Sequence, residues 1–337
     1  MTSWCKAALA ALMLTLTFTV AGPLARAADT APADVQPFNS SPDAGLWQAI
    51  RQGERGATTL PNPRAGVLIQ SEGETWRALR NGPISTYGVW ALAGILGVLA
   101  LFFLIRGRIR LDAPATGRTV ERFNTLERSA HWLTAGSFIV LALTGLNVLY
   151  GRWFLLPLIG PEAFAALTGW GKLAHNYLGF AFMVGVLMIF LLWVRDNIPD
   201  RSDVEWISKA GGLFRRNVHP AAKKFNAGQK VIFWATVLGG AALSFTGLQL
   251  LFPFYFGSLA DMQLYQMIHA VMALVMVVVI IGHIYIGSIG MEGAFDAMGS
   301  GQVEEEWARE HHGLWLAEVK GERSRRHGHE RGPAPAE

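Results

Sequence analysis

The sequence predicts an all-α integral membrane protein: a four-helix transmembrane bundle with one extra N-terminal spanning helix. Three observations lead there. The 337 residues are 51% hydrophobic and only 16% charged, too apolar for an ordinary water-soluble chain of this size. Five stretches of about 20 residues are apolar enough to cross a hydrocarbon core. Basic residues gather in alternate connections between them, as the asymmetry of membrane topology requires.

The first 27 residues carry Lys6, an apolar run from Ala7 to Val20 and an Ala25-Arg26-Ala27 ending, the layout of a cleaved secretory signal. Residues 28–85 are mixed and polar, with Pro61 and Pro63, and are expected to form an exported segment with one or two short helices. The extra span is expected over 86–105 and a basic loop over 106–130. A four-helix domain follows over 131–288, with spans near 131–150, 171–194, 230–252 and 266–288, and then a polar tail over 289–337 whose Pro/Ala end is expected to lack order.

Arg106, Arg108, Arg110, Arg118, Arg122 and Arg128 lie between the first two spans, and Arg195, Arg201, Lys209, Arg215, Arg216, Lys223, Lys224 and Lys230 between the third and fourth. Both loops are therefore expected on the cytoplasmic side. The opposite connections, 151–170 and 253–266, contain Arg152 as their one basic residue and are rich in aromatics, as periplasmic interfacial belts tend to be. An exported N-terminus followed by five spans gives the same topology, with the C-terminus in the cytoplasm of a bacterial inner membrane protein. The net charge of +4 is spread beside apolar segments, which argues for topology and against nucleic acid as a partner.

The single cysteine, Cys5, falls inside the signal. Cysteine-held iron–sulfur clusters, thioether-linked haem and disulfides are thereby excluded from the mature chain, and any redox centre must rest on histidine. Of nine histidines, His131, His175, His269 and His283 fall within spans or at their edges, where polar side chains are costly and serve function by default. His269 and His283 stand fourteen positions apart on one helix. That is about 40° short of four turns and a rise of about 21 Å, so both face one way, one near each membrane surface.

Depth then pairs His175 with His269 on the periplasmic side and His131 with His283 on the cytoplasmic side. Two stacked haems, each held by two imidazoles, would form an electron wire with no open iron position. The competing reading makes each histidine a polar contact between helices. His219, His311, His312, His327 and His329 lie in the basic loop or the tail; His327 and His329 could bind a metal ion, but a solvated tail is the expectation. Gly179, Gly239, Gly240 and Gly282 could admit a flat porphyrin or merely close helix packing.

The segments VERFNTLERSAHWLTAGSFIVLALTGL from Val120, HNYLG from His175, KKFNAGQK at 223–230, MIHAVMA around His269, GHIYIGSIGMEGAFDAMGSGQV from Gly282 and WAREHHGLW at 307–315 make the chain resemble a known family. It is similar, over about Trp76 to Glu318, to the gamma subunit, cytochrome b556, of membrane-bound respiratory formate dehydrogenases, within the cytochrome b561-like di-haem proteins. The resemblance implies two haem b groups on His131, His175, His269 and His283. It also implies an iron–sulfur beta subunit as electron donor and a molybdenum- or tungsten-containing alpha subunit that oxidises formate. A quinone, menaquinone or ubiquinone, would dock near Asn226, Gly228 and His283. Read from its residues alone, the Asn226-Ala227-Gly228-Gln229 turn is equally a helix N-cap or an amide donor to a quinone carbonyl. The chain departs from compact family members in its signal, exported segment and extra span.

Other functions remain open at this level. A cytochrome b subunit of a nickel–iron hydrogenase or another periplasmic oxidoreductase shares histidines in spans. A transporter could use them as a proton relay. A passive membrane anchor needs none of them.

Overall fold

The computed structural model describes residues 44–53, 60–62, 65–66, 72–215, 217–255 and 257–330. The expected signal over 1–27, with Cys5, and the Pro/Ala end lie outside the described residues. The described residues fall into two compact units, one from those before 85 with those of 246–268, and one from those of 85–245 with those from 269 on.

In the first unit, short helices α1 (Ala44–Gln52) and α2 (Glu72–Leu79) are described, the latter running into a π-helical turn over Arg80–Ile84. In the same unit the Ser258 hydroxyl donates to Asp261 at 2.8 Å, and the Ser258 amide does the same at 2.8 Å. This closes the start of the helix that follows.

The second unit contains α3 (Ser85–Arg106), α4 (Thr125–Phe154) and α5 (Leu156–Trp193). Helices α6 (Arg201–Ser208), α7 (Ala227–Leu251) and α8 (Leu259–Tyr285) come next, and α7 and α8 run through both units. Five helical stretches are long and apolar enough to cross a membrane: Gly73–Arg106, Thr125–Phe154, Leu156–Trp193, Ala227–Leu251 and Leu259–Gly290. Large side chains such as Leu96, Leu104, Leu143 and Leu238 are exposed on them, a surface suited to lipid rather than water. Between the helices, Phe138, Phe182, Val186, Leu243, Met276 and Val277 form an apolar core.

The third span starts earlier than the expected 171, because the apolar sequence continues back to Leu156 with a single break at Gly160. Gly160 takes φ 79°, a conformation open to glycine, and Pro161 then starts the helix proper at a position where no amide is needed. The aromatic-rich connection over 151–170 is thus largely helix.

The tail after Gly290, which the sequence shows only as polar and charged, is folded over its described residues. Strand β1 (Thr119–Glu121) pairs antiparallel with β2 (Gln302–Glu304), setting buried Val120 opposite buried Val303. Between Gly290 and β2 lies a short helix, α9 (Asp296–Gly299), and after β2 comes α10 (Glu305–Glu330), whose helical path breaks at His312. Trp307, Ala308, His312, Trp315 and Leu316 are buried, so this segment is a folded cap over the basic connections. His327 and His329 are on α10, and their side chains are not described.

Beneath the cap, the helix starts and basic connections are held by charged groups that find partners. Asn124 and Glu127 exchange hydrogen bonds as a capping box at the start of α4. Glu127 also accepts from Trp193 Nε1 at 2.9 Å and Lys224 Nζ at 2.6 Å. Lys230, with a side chain only 5% exposed, donates to Asp203 at 2.8 Å and to Asp200 at 3.1 Å.

Arg122 is buried and its guanidinium lies 5.1–5.3 Å from the rings of Phe123, Trp307 and Trp315. It donates to the Lys224 carbonyl at 2.5 Å and meets His312 Nε2 at 3.0 Å. Because guanidinium can only donate, Nε2 accepts, and His312 Nδ1–H donates to the Lys223 carbonyl at 2.7 Å. His312 is therefore neutral.

Burial and the nearby Arg122 hold His312 well below the usual histidine value, and burial, with His219 and Arg122 adjoining, pushes His311 down to about 4. The unfolded cap binds protons that the folded cap refuses, so its stability is complete above about pH 6.5 and falls as pH drops towards 4. Hydrogen exchange over 302–320 is expected to accelerate between pH 7 and pH 5 after correction for intrinsic rates. Equal protection at the two pH values would contradict this.

Candidate functional site

Three spanning helices carry the four histidines singled out above: α4 has His131, α5 has His175, and α8 has both His269 and His283. The bundle brings them together in two pairs. The rings of His131 and His283 have centroids 6.2 Å apart at 60°, and those of His175 and His269 are 6.2 Å apart at 58°. Two metal–nitrogen bonds of about 2 Å, with half a ring at either end, span about 6 Å. Each pair is therefore spaced to hold one iron atom between two imidazoles.

Neighbouring groups aim these rings. The Thr144 hydroxyl donates to the Val140 carbonyl at 2.7 Å, so at 2.8 Å from His175 Nδ1 it accepts the ring N–H. That fixes the tautomer and leaves Nε2 as the ligating atom. His269 is hydrogen-bonded to the backbone of Leu243. His131 Nδ1 is buried with no hydrogen-bond partner among the described residues.

The glycines divide between the two readings offered for them. A side chain at Gly239 would strike Met276, and one at Gly240 would strike Val186, so these two serve helix packing. A Cβ at Gly179 or Gly282 would meet nothing within 4 Å. Gly179 stands one helical turn after His175 and Gly282 directly before His283, and both leave room for a flat group beside the rings. The donor set and these cradles fit a haem at each pair.

The His131/His283 pair opens on a cavity of about 660 Å³. Its walls include Phe138, Ile139, Phe182 and Gly282 from the helices and Asn226, Gly228 and Gln229 from the start of α7. Asn226 and Gln229 form a reciprocal capping box: Asn226 Oδ1 accepts the Gln229 amide at 3.0 Å and Gln229 Oε1 accepts the Asn226 amide at 3.0 Å. Capping uses the carbonyl ends of both side chains and spares their NH₂ groups. Gly228 is needed for packing, since a Cβ there would come within 2.9 Å of Trp206.

The same cavity is lined by Asp112, Arg122, Glu310 and by His219, His311 and His312, three histidines that the sequence placed in the basic loop or the tail without a role. Their signal was the spacing of Trp307, His311 and Trp315 on one face of a helix in the tail.

A model of the family described as prokaryotic cytochrome b561 matches residues 122–301, which include all four paired histidines. The chain is 28% identical over 210 residues to the cytochrome b556(Fdn) subunit of the nitrate-inducible formate dehydrogenase of Escherichia coli K12, covering 60% of this chain and 93% of that one. It is 27% identical over 205 residues to the cytochrome b556(fdo) subunit of a formate dehydrogenase of the same organism, covering 60% and 94%. The cytochrome b556 subunit of the Haemophilus influenzae formate dehydrogenase is 26% identical over 205 residues, covering 59% and 83%. With five helices apolar enough to span a membrane and a family match over 122–301, the chain is a multi-pass membrane cytochrome b and belongs to the prokaryotic cytochrome b561 family.

Proposed function

We propose that this chain is the di-haem membrane subunit of a formate dehydrogenase complex of the bacterial inner membrane. In this reading electrons from formate pass through an iron–sulfur subunit to a periplasmic haem at His175/His269. They then cross to a second haem at His131/His283 and reduce a quinone on the cytoplasmic side. The observation that carries the reading is the pair of matched imidazole separations, each 6.2 Å, held on one common helix. The names of the relatives supply the formate dehydrogenase context.

Each haem, when bound, would be held by its histidine pair and would supply a one-electron carrier, suited to transfer rather than oxygen chemistry. The chain's own residues do the rest. Thr144 and the Leu243 backbone hold the outer rings in place. Asn226 and Gln229 offer amide N–H groups to a quinone carbonyl in the cavity beside His283. The Arg-rich connections fix the orientation, with residues 1–27 removed as a signal and residues 28–85 exported. Each elementary charge moved across the bilayer against the potential stores about 2.3 kcal/mol per 100 mV.

His283→Ala is expected to remove the inner haem and quinone reduction together while the outer haem remains, and undiminished quinone reduction would contradict the assignment. Thr144→Val is expected to weaken haem retention at the His175/His269 pair by about 10- to 100-fold, read as haem lost on dilution. Asn226→Asp keeps a capping oxygen but deletes the donor N–H. It should raise the quinone KM about tenfold with both haem spectra unchanged. An unaltered KM would place the quinone elsewhere.

A further inference from the structure

Reducing a quinone to a quinol consumes one proton for every electron, yet the cavity beside His283 is walled mainly by apolar side chains. Protons therefore need a way in. The cavity is also lined by Asp112, His219 and His311, one from each of three separate segments. His219 Nε2 lies 2.8 Å from Asp112 Oδ2, and both side chains are 32% exposed, so this pair meets solvent. The Asn217 amide donates to the same Asp112 oxygen at 2.9 Å and holds the carboxylate in place. Behind them the His311 ring is 6.2 Å from the His219 ring and packs on Trp307 at 5.2 Å.

We infer that Asp112, His219 and His311 form the proton inlet of the quinone cavity, an inference that rests on the quinone reading above. For each quinone, two electrons arrive singly from the inner haem and two protons leave cytoplasmic water. Both carbonyl oxygens become hydroxyls, and no bond within the chain is made or broken. A proton enters at the mouth, along the contact between His219 Nε2 and Asp112 Oδ2. The proton passes to His311 and from there into the cavity.

The groups facing the pair are Asp112 from the connection after α3, Arg122 beside β1, and Glu310 and His312 from α10. Glu310 is held by the Asp112 amide at 3.0 Å and the Ala113 amide at 3.1 Å. Burial, with His219 and Arg122 adjoining, holds His311 at about 4, so at neutral pH it hands a proton on and does not keep it.

The test uses the purified full chain with both haems reduced and follows their reoxidation by stopped-flow absorbance. The oxidant is either a naphthoquinone analogue, which needs protons, or ferricyanide, which does not. His311→Gln and His219→Gln are each expected to slow reoxidation by the quinone about a hundredfold. Haem content and the ferricyanide rate should stay unchanged, and added imidazole should restore part of the quinone rate. His219 is at the exposed mouth, so its variant keeps the test open if the His311 variant misfolds. Quinone rates equal to wild type in both variants would overturn the inlet, and so would an equal slowing with ferricyanide, the mark of a structural role. Wild-type haem reoxidised by ferricyanide but by no quinone would overturn the quinone reading itself, and the inlet with it.

Discussion

The architecture depends on placing four imidazoles inside an apolar bundle. A buried ring nitrogen without a partner is costly, and that cost is offset only where the ring donates from one nitrogen and ligates with the other. At His175 the first half of this arrangement is complete, through Thr144 on the facing helix. The 6.2 Å separation of both pairs leaves space for the second half. Much of the helix packing follows from the same need. Gly185 admits Thr134 close to the backbone, bringing α4 and α5 together between the levels of the two pairs. Gly239 and Gly240 draw α7 against Met276 and Val186.

At the basic end, the bundle is closed by groups that would be unstable there alone. Glu127 is a helix cap for α4, a hydrogen-bond acceptor for Trp193 of α5 and an ion-pair partner for Lys224 before α7. Arg122 is enclosed by three aromatic faces and joined to His312, which links the connection after α3 to the C-terminal helix. Removing one partner from such a buried set leaves an unsatisfied charge, so these contacts specify one arrangement of the cap more than they add to its stability. The cap also encloses the cavity next to His283, so its folding and the chemistry of the inner pair are physically connected.

Much of this was legible in the sequence, for a definite reason. Membrane spans are long and uniformly apolar, and a fourteen-residue spacing on a helix fixes direction and depth together, so His269 and His283 could be assigned facing partners before any coordinates. Limits arose where the local signal was weak or ambiguous. The apolar run before Trp170 contains Gly160 and Pro161, which read as a loop but form a helix start. The tail read as solvated because its charge outweighs its apolar content. Yet Glu305, Glu306 and Glu310 are buried there, matched by Arg118, Arg309 and backbone amides that lie far away in sequence or on the next turn. Asn226 was ambiguous between cap and donor, and its carbonyl oxygen is engaged as the cap while capping makes no use of its amide group.

The central claim is that each histidine pair holds one haem. Its most direct measurement is haem quantified per chain by the pyridine haemochrome method, together with a reduced-minus-oxidised spectrum of the purified protein. Two b-type haems per chain, both low-spin as two axial imidazoles require, is the predicted result. A chain that folds and purifies with one haem or none would contradict the account.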